Sequence, residues 1–480
     1  MPAEGAVQFA VREVALERRP VRTRMPFRFG AVTVTETELL TCRIRVRAPD
    51  GRDGEGWSGD LLAPRWFRKD TDATPQQDAD ELCAAVIAAA EAFCAVGTTT
   101  PFELWQQVFG ARVTALGDDQ PDLLVRGFGV AIVERALLDA ACRLRGQPFA
   151  AALRDDVFGF RPADVHAQLA DWDWRRDLPT PRRSVAVRHT VGMLDPLRAV
   201  DVPAERRVAD GLPQALEEDL DAYRPRWLKI KIGAGVDADR ARLAALAELF
   251  ERRDEAPGFS LDGNEQYEDL AQLAELLDAV AAEPRGARFL ERMLWIEQPL
   301  ARAMTFDPQR HRAIERVTRR APLILDEADA NPRAFLRALE LGYRGVSVKN
   351  CKGVFRALCN FGICRRGEGR FQTGEDLTNI GVLPLQQDLV TMSVLGLPHV
   401  ERNGHHYCRG LDHLPAELVQ RAREAHGDVW RELPSGREGH GGAALRIEGG
   451  EVEIGSLLDA NGFGTALGEL AQDLQVVVRG

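Results

Sequence analysis

Two lysines occupy a segment that otherwise has the pattern of a buried β-strand. Leu228, Ile230 and Ile232 form the apolar side of this segment. Lys229 and Lys231 form the other side, because strand side chains alternate between the two faces. Two neighbouring like charges are costly to bury unless anionic groups lie opposite them. The pair therefore predicts a cluster of carboxylates close by.

Acidic residues stand at the ends of the predicted strands that follow along the chain. Asp262 lies near the end of the third strand, and Glu297 lies near the end of the fourth. Asp326 and Glu327 end the fifth strand, and Lys349 ends the sixth. Carboxylates without His or Cys form an all-oxygen site for a hard cation, which Mg²⁺ suits best and Mn²⁺ can also occupy.

The lysines suggest what such a cation would be used for. Lys229 and Lys231 on one strand, with Lys349 three or four strands away, would place ammonium groups on opposite flanks of the metal. This arrangement suits removal of the proton next to a carboxylate, with the metal stabilising the ene-diolate and a lysine of lowered pKa acting as base. Lys229 and the metal are expected to lower the pKa of Lys231.

The strands and helices that must position these groups alternate regularly along the chain. Short apolar strands alternate with helical stretches at intervals of about 30 residues, which is typical of a (β/α)₈ barrel. The predicted strands are 185–192, 227–232, 259–264, 294–298, 323–327, 345–349, 371–374 and 397–401. The predicted helices between them include 237–252, 270–281, 310–319 and 333–341. Strand-like segments at 31–35 and 41–46 and helical periods at 79–95 and 129–144 precede the barrel, and strand-like segments at 444–447 and 452–454 follow it.

Composition narrows the class of protein. The chain has 480 residues, a net charge of -11 and a pI near 5.5, which argues against a general surface for nucleic acid or anionic membranes. Its eight cysteines contain no Cys-x-x-Cys pair, so neither a zinc site nor a redox motif is expected from them. No secretory signal and no apolar run long enough to span a bilayer is visible. A cytoplasmic location is expected.

Taken in their order along the chain, these lysine and carboxylate motifs resemble those of the enolase superfamily. Within it, they are most similar to the muconate-lactonizing-enzyme-like subgroup of the mandelate racemase/muconate lactonizing enzyme family. The matching segments are Lys229-Ile230-Lys231, Asp262-Gly263-Asn264, Ile296-Glu297-Gln298-Pro299, Leu325-Asp326-Glu327-Ala328 and Val348-Lys349. The stretch 133–139 also resembles the helix that precedes the barrel in that family. The superfamily uses a Lys or His base together with Mg²⁺.

The resemblance implies a role for each matching residue. Asp262, Glu297 and Asp326 would be the metal ligands. Lys231 and Lys349 would be the acid/base pair, and Lys229 would support them electrostatically. Asn264 and Glu327 would lie behind the ligands. The resemblance also implies an α+β capping domain at 1–180, a (β/α)₈-type barrel at 181–415 and a segment at 416–480 that returns to the capping domain.

Five further residues are candidate substrate contacts. His189 is expected to face the barrel mouth, where it would touch substrate or make a structural hydrogen bond. Glu375 and Asp376 follow the seventh strand and would reach the site or serve as helix N-terminal carboxylates. Arg28 and Trp57 lie in the region that supplies capping loops in the resembled family, although a surface role is the alternative for each.

The leading hypothesis is a Mg²⁺-dependent racemase or epimerase that acts on a small carboxylate. The alternative is a lyase, such as a dehydratase, a cycloisomerase or an enzyme similar to o-succinylbenzoate synthase, in which one lysine is the base and the other stabilises charge. A non-catalytic relative that binds metal or ligand is a third hypothesis. Dipeptide epimerases of the subgroup carry Asp-x-Asp on the eighth strand, which residues 399–403 lack. Homo-oligomers are common in the resembled family.

Overall fold

The N-terminal part combines a meander of long strands with a layer of helices. The computed structural model of the chain describes residues 5–29, 32–69, 72–118, 120–253, 255–434 and 442–480. Its first elements are β1 (Ala10–Phe29), β2 (Val32–Arg47), β3 (Asp53–Leu61), α1 (Pro75–Val96), α2 (Pro101–Arg112), α3 (Leu123–Arg145), α4 (Phe149–Arg154) and α5 (Trp174–Asp177). Thr74 starts α1 with a reciprocal cap, because its hydroxyl accepts from the Gln77 backbone while the Gln77 side chain accepts from the Thr74 backbone.

Eight parallel strands then close into a barrel. They are β4 (Ser184–Val191), β5 (Trp227–Lys231), β6 (Gly258–Asp262), β7 (Met293–Glu297), β8 (Leu323–Leu325), β9 (Gly345–Val348), β10 (Phe371–Gly374) and β11 (His399–Arg402). Each strand pairs with its neighbours along the chain, and β11 pairs with β4 to complete the ring. The intervening helices are α6 (Leu216–Ala222), α7 (Val236–Glu251), α8 (Leu270–Ala281), α9 (Pro284–Leu290), α10 (Ile314–Thr318), α11 (Ala334–Glu340), α12 (Val354–Arg365) and α13 (Leu383–Val394).

The C-terminal part returns to both earlier units. Its elements are α14 (Gly404–Tyr407), α15 (Ala416–Ala425), β12 (Trp430–Leu433), β13 (Gly442–Leu445), β14 (Glu451–Glu453), α16 (Gly455–Asp459) and β15 (Gln475–Arg479). Strand β14 pairs antiparallel with β4 of the barrel, whereas β15 pairs antiparallel with β1 of the N-terminal sheet. The predicted barrel with an N-terminal capping sheet is confirmed, and the domain boundaries near residues 180 and 415 stay a prediction.

Two apolar cores hold these layers together. One lies where the N-terminal sheet and α3 pack against α13, and it contains Val14, Ile44, Phe128 and Leu389. The other lies between the barrel strands from β5 onward and the helices outside them, and it contains Leu228, Leu246, Leu261, Leu273 and Phe335. Burial of these apolar faces supplies the main favourable free energy for bringing the layers together.

Polar contacts fix the capping domain on the barrel. The Glu134 carboxylate of α3 accepts a hydrogen bond of 2.6 Å from the Phe355 backbone of α12. The Gln387 side chain of α13 donates to the Trp57 carbonyl of β3 over 2.8 Å. The N-terminal sheet and the barrel helices are therefore joined by directed bonds as well as by apolar packing.

One predicted helix has a different form. The segment 310–319 was predicted as a single helix, but the structure has a 3₁₀ turn at Pro308–His311 followed by α10. Asp307 caps the turn by accepting from the Gln309 backbone over 2.9 Å, and Pro308 occupies its first position. A capping aspartate and a proline at the first position both favour the start of a helical turn, and here they lie before residue 310. None of the helices in the described ranges is both long enough and apolar enough to cross a membrane.

Candidate active site

The charged residues predicted from the strand ends meet inside the C-terminal end of the barrel. Lys231 of β5 lies in register with Asp262 of β6, and Asp262 lies in register with Glu297 of β7. Asp326 and Lys349 come directly after β8 and β9, one residue past the strand ends. All five side chains are buried. The sequence-predicted set of metal ligands and acid/base lysines is thus brought to one place.

Lys229 lies at the centre of this cluster. Its Nζ is 2.7 Å from a Glu297 oxygen, 2.9 Å from Glu375, 3.0 Å from Glu401 and 3.1 Å from Asp262. Burial alone would lower the pKa of Lys229, but the surrounding carboxylates outweigh burial and hold that pKa well above its usual range. Lys229 is therefore a fixed cation that balances several buried acids.

Lys231 and Lys349 occupy the two sides of the carboxylate row. The Lys231 Nζ donates to the Asp262 Oδ2 over 2.6 Å, and the Lys349 Nζ donates to the Asp326 Oδ2 over 2.7 Å. Burial lowers the pKa of Lys349, but Asp326 opposes it and the net pKa lies above the usual value. The expected lowering for Lys231 stays a prediction.

Asp326 is held by groups that the sequence reasoning missed. The Lys352 Nζ donates to the Ser347 hydroxyl over 2.7 Å and lies 3.3 Å from the Asp326 Oδ1. The Gln298 side-chain carbonyl accepts from the Asp326 backbone over 3.0 Å. Burial raises the pKa of Asp326, but Lys349 and Lys352 outweigh burial and hold it well below its usual range. The position of Lys352 three residues after Lys349 is the feature of the sequence from which its role could have been predicted.

The residues fit a divalent cation. Burial raises the pKa of Glu297 well above its usual value, and the negative charges of Asp262 and Glu375 raise it further. A cation between Asp262, Glu297 and Asp326 would relieve this repulsion, and its ligands would all be oxygen atoms, as Mg²⁺ prefers. Because Asp262 and Asp326 each accept from a lysine, metal binding at these oxygens would also loosen Lys231 and Lys349 from their partners.

Asn264 and Glu327 lie immediately behind the carboxylate row. The Asn264 backbone donates to the Asp262 Oδ1 over 2.9 Å, and the Asn264 amide lies 3.4 Å from Glu327. Burial raises the pKa of Glu327 to about 6, against the opposing positive charge of Lys69. The structure therefore brings both residues next to the predicted ligands, as expected from the sequence.

The candidate substrate contacts separate into two groups. Glu375 lies in the cluster, where it contacts Lys229 and Arg188. Asp376 is also buried, but it pairs with Arg402 and accepts from the Asn403 backbone over 3.2 Å. Only Glu375 of this pair therefore contacts the central lysine.

His189 does not face the barrel mouth, which corrects the sequence prediction. Strand alternation directs Arg188 and Thr190 of β4 inward, where they contact Glu375 and Glu401. His189 therefore points outward, and its Nδ1 lies 3.0 Å from the His405 Nε2. The prediction was wrong because it assigned the inward face to His189 instead of its neighbours. A shift of one residue along a strand moves every side chain to the opposite face.

The capping region approaches the site through residues other than those predicted. Trp57 is buried in β3, its backbone donates to Asp139 of α3, and its indole donates to Glu55, so it lies within the capping domain. Arg28 lies in β1 opposite Thr33 of β2, and its role as a substrate contact stays a prediction.

The loop after β3 supplies the contacts that the sequence reasoning missed. The Trp66 ring centre lies 4.5 Å from the Lys349 Nζ. Lys69 donates to the Asn264 carbonyl over 3.0 Å and pairs with Glu265 at 2.6 Å. These contacts could not be predicted from a short sequence motif, because contacts with the barrel fix the position of the loop.

A cavity of about 930 Å³ opens between this loop and the barrel mouth. Its lining is mixed in character and includes Phe67, Lys69, Arg302, Phe306 and Glu327. Because Glu327 follows a predicted metal ligand, the cavity adjoins the carboxylate cluster. A cavity of this size suits a small organic molecule.

Comparison with known proteins identifies the fold. Neither the protein-family models nor the curated proteins gave a match to this sequence. A muconate lactonizing enzyme from Mycobacterium smegmatis, solved with muconolactone, is 17% identical with a TM-score of 0.59, and the match covers 95% of each chain. An enolase from Bradyrhizobium, solved with magnesium and mandelic acid, is 18% identical with a TM-score of 0.57 over 93% of each chain.

A third similar structure is a dipeptide epimerase from Enterococcus faecalis, solved with Mg and the dipeptide L-Leu-L-Tyr. It is 14% identical with a TM-score of 0.55, and the match covers 83% of this chain and 90% of that one. These neighbours are enolase-superfamily enzymes of the mandelate racemase/muconate lactonizing enzyme type. The chain shares their capped (β/α)₈ barrel fold.

Proposed function

We propose that this protein is a Mg²⁺-dependent enzyme of the enolase superfamily, in its muconate-lactonizing-enzyme-like subgroup, that removes the α-proton of a small carboxylate. The observation that carries the proposal is the row Asp262, Glu297 and Asp326 with a lysine on each side. Mg²⁺ bound to this row would hold the substrate carboxylate and stabilise the negative charge that develops when the proton leaves. Mn²⁺ is a chemically acceptable substitute.

The two outer lysines support racemisation or epimerisation as the reaction. Lys231 ends β5 and Lys349 follows β9, and they contact opposite ends of the carboxylate row, so they would reach opposite faces of a bound α-carbon. One lysine would remove the proton and the other would deliver a proton to the opposite face. Lys229 is held by Glu297, Glu375 and Glu401 and would keep the site's charge balanced.

One observation favours a second candidate, a lyase. The Lys349 Nζ lies 4.5 Å from the centre of the Trp66 ring, a position that suits a lysine that stays protonated and stabilises charge. Lys231 would then act alone as base, and a leaving group would depart from the β-carbon. Solved neighbours with this fold include a 2-chloromuconate cycloisomerase as well as dipeptide epimerases.

Solvent-deuterium exchange across a panel of carboxylates tests the proposal. The protein is incubated in D₂O with Mg²⁺, and deuterium at the α-carbon is measured by mass spectrometry and NMR. Deuterium in both enantiomers supports racemisation, whereas loss of a leaving group supports the lyase. Metal-dependent thermal stabilisation without exchange across a broad panel would contradict both and favour a non-catalytic relative.

A further inference from the structure

Three buried histidines and an aspartate meet on the outer side of β4, away from the carboxylate cluster. His189 comes from β4, Asp219 from α6, and His405 and His406 from α14. All four side chains are at least nine-tenths buried. The His189 ring centre lies 5.1 Å from the ring centres of both other histidines. The sequence gives no ligand spacing for this group, since its members lie on three separate segments.

The distances around Asp219 match those between ligands of one metal ion. The His189 Nε2 lies 3.5 Å from the Asp219 Oδ2, and the His406 Nδ1 lies 3.1 Å from the Asp219 Oδ1. One ligand atom from each of the three residues lies within 4.8 Å of the others. In a tetrahedral zinc site with bonds near 2.0–2.1 Å, neighbouring ligand atoms are about 3.3 Å apart.

Hydrogen bonding alone leaves polar atoms of this cluster without partners. Within the described residues, the Asp219 Oδ2 is buried and makes no hydrogen bond. At 3.5 Å, the contact between the His189 Nε2 and the Asp219 Oδ2 is too long for a firm hydrogen bond. Buried polar atoms are normally satisfied, so the unpartnered Asp219 Oδ2 beside the His189 Nε2 points to a missing ligand.

His405, the fourth residue of the cluster, lies where it can orient His189. The His189 Nδ1 lies 3.0 Å from the His405 Nε2, so His189 can donate there and present its Nε2 lone pair toward Asp219. Histidines that bind metals usually donate through their other ring nitrogen in this way. The neighbouring Arg24 is paired with Asp210 at 2.6 Å, which compensates its positive charge.

We propose that His189, Asp219 and His406 bind a Zn²⁺ ion, with His405 orienting His189. Imidazole and carboxylate ligands suit Zn²⁺, whereas the all-oxygen row inside the barrel suits Mg²⁺. The ion fastens α6, which lies in the long connection between β4 and β5, and α14, which follows β11, to the first barrel strand. The inner face of that strand carries Arg188 and Thr190, which hold Glu375 and Glu401.

Cobalt substitution tests the proposal in the full-length protein. The protein is stripped with a chelator, supplied with excess Mg²⁺ to fill the all-oxygen site, and titrated with Co²⁺. A four-coordinate site with nitrogen ligands absorbs visible light much more strongly than a six-coordinate all-oxygen site. We expect one strongly absorbing Co²⁺ per chain, displaced by one equivalent of Zn²⁺.

Variants locate the ion. His189→Gln and His406→Gln should abolish the strong absorption, and His405→Gln should weaken binding by roughly 10–100-fold, as loss of a supporting hydrogen bond does. His426→Gln is the matched control, because His426 is buried but bonds to Ser456 outside this cluster, and it should leave binding unchanged.

A second measurement applies if one of the ligand variants fails to fold. Zn²⁺ should then raise the Tm of the wild-type protein and of His426→Gln, but not that of the remaining ligand variant. Absence of stoichiometric Co²⁺ uptake by the wild type, or equal uptake by His406→Gln, would overturn the proposal.

Discussion

Lys229 is the cation that balances the negative charge of the buried carboxylates around it. Four carboxylates lie within hydrogen-bonding or ion-pairing distance of its Nζ, and its side chain is fully buried. Among the described residues, Lys231 by contrast forms an ion pair with one acid, Asp262, and it lies nearer the mouth. The two lysines of one strand therefore have different physical tasks, since Lys229 compensates charge and Lys231 is placed to meet a substrate.

Replacing Lys229 should destabilise the fold. Lys229→Met leaves Glu297, Glu375 and Glu401 without their shared cation, and breaking a buried ion pair costs roughly 3–5 kcal/mol. The free energy of unfolding is measured by urea denaturation with a chelator present. Lys231→Met is the matched control and should cost less. Equal stability of Lys229→Met and the wild type would contradict this assignment.

At the scale of elements, strand alternation made much of the site predictable from the sequence. Polar residues at the strand ends broke an otherwise apolar pattern, so Lys229, Asp262 and Glu297 could be placed on the inner face before any coordinates. His189 was misplaced because a single residue of parity decides which face a side chain occupies. Trp66 and Lys69 could not be found, since contacts with the barrel fix the loop that carries them.

The junction between α3 and α12 should make stability depend on pH. Burial raises the pKa of Glu134 to about 8, although its bond to the Phe355 backbone and the charge of Arg135 oppose this. A carboxyl group whose folded pKa is raised keeps its proton longer in the folded state. Its contribution to stability is therefore complete below about pH 4.5 and is lost as the pH rises to about 8.

Glu134→Gln should remove this dependence. Glutamine can still accept from the Phe355 backbone but does not ionise. Between pH 5 and 8 the free energy of unfolding of the variant should rise relative to wild type by up to about 1.4 kcal/mol per pH unit. Urea denaturation at several pH values measures the difference, to which the other titrating groups contribute equally in both proteins. Parallel curves for the two proteins would show that Glu134 ionises normally.

At the scale of the whole molecule, residues of the N-terminal part and of the barrel line one cavity. The barrel supplies the carboxylate row and the lysines, while the loop after β3 supplies Trp66 beside Lys349 and Lys69 in the cavity lining. The family resemblance implied that capping loops lie near the site, but the substrate depends on the cavity lining, which no motif specifies. Self-association, common in the resembled family, stays a prediction.

Binding of Mg²⁺ should stabilise the whole molecule through the carboxylate row. A ligand at one hundred times its Kd adds about 2.7 kcal/mol to stability. The wild-type Tm should therefore rise with Mg²⁺, as measured by calorimetry. Glu297→Gln should lose this rise, because it removes one of the three anionic ligands. Glu375→Gln is the matched control, since it also contacts Lys229 but is not a proposed ligand, and an identical loss in this control would argue against the assigned ligand set.

Removal of the α-proton is the central claim, and enantiomer-resolved deuterium exchange tests it most directly. On a substrate found in the carboxylate panel, the wild type should exchange the α-proton of both enantiomers in D₂O. Lys231→Ala should lose exchange with one enantiomer and Lys349→Ala with the other, because in the proposed mechanism each lysine faces one side of the α-carbon. Full exchange of both enantiomers by both variants would contradict the assignment of these lysines.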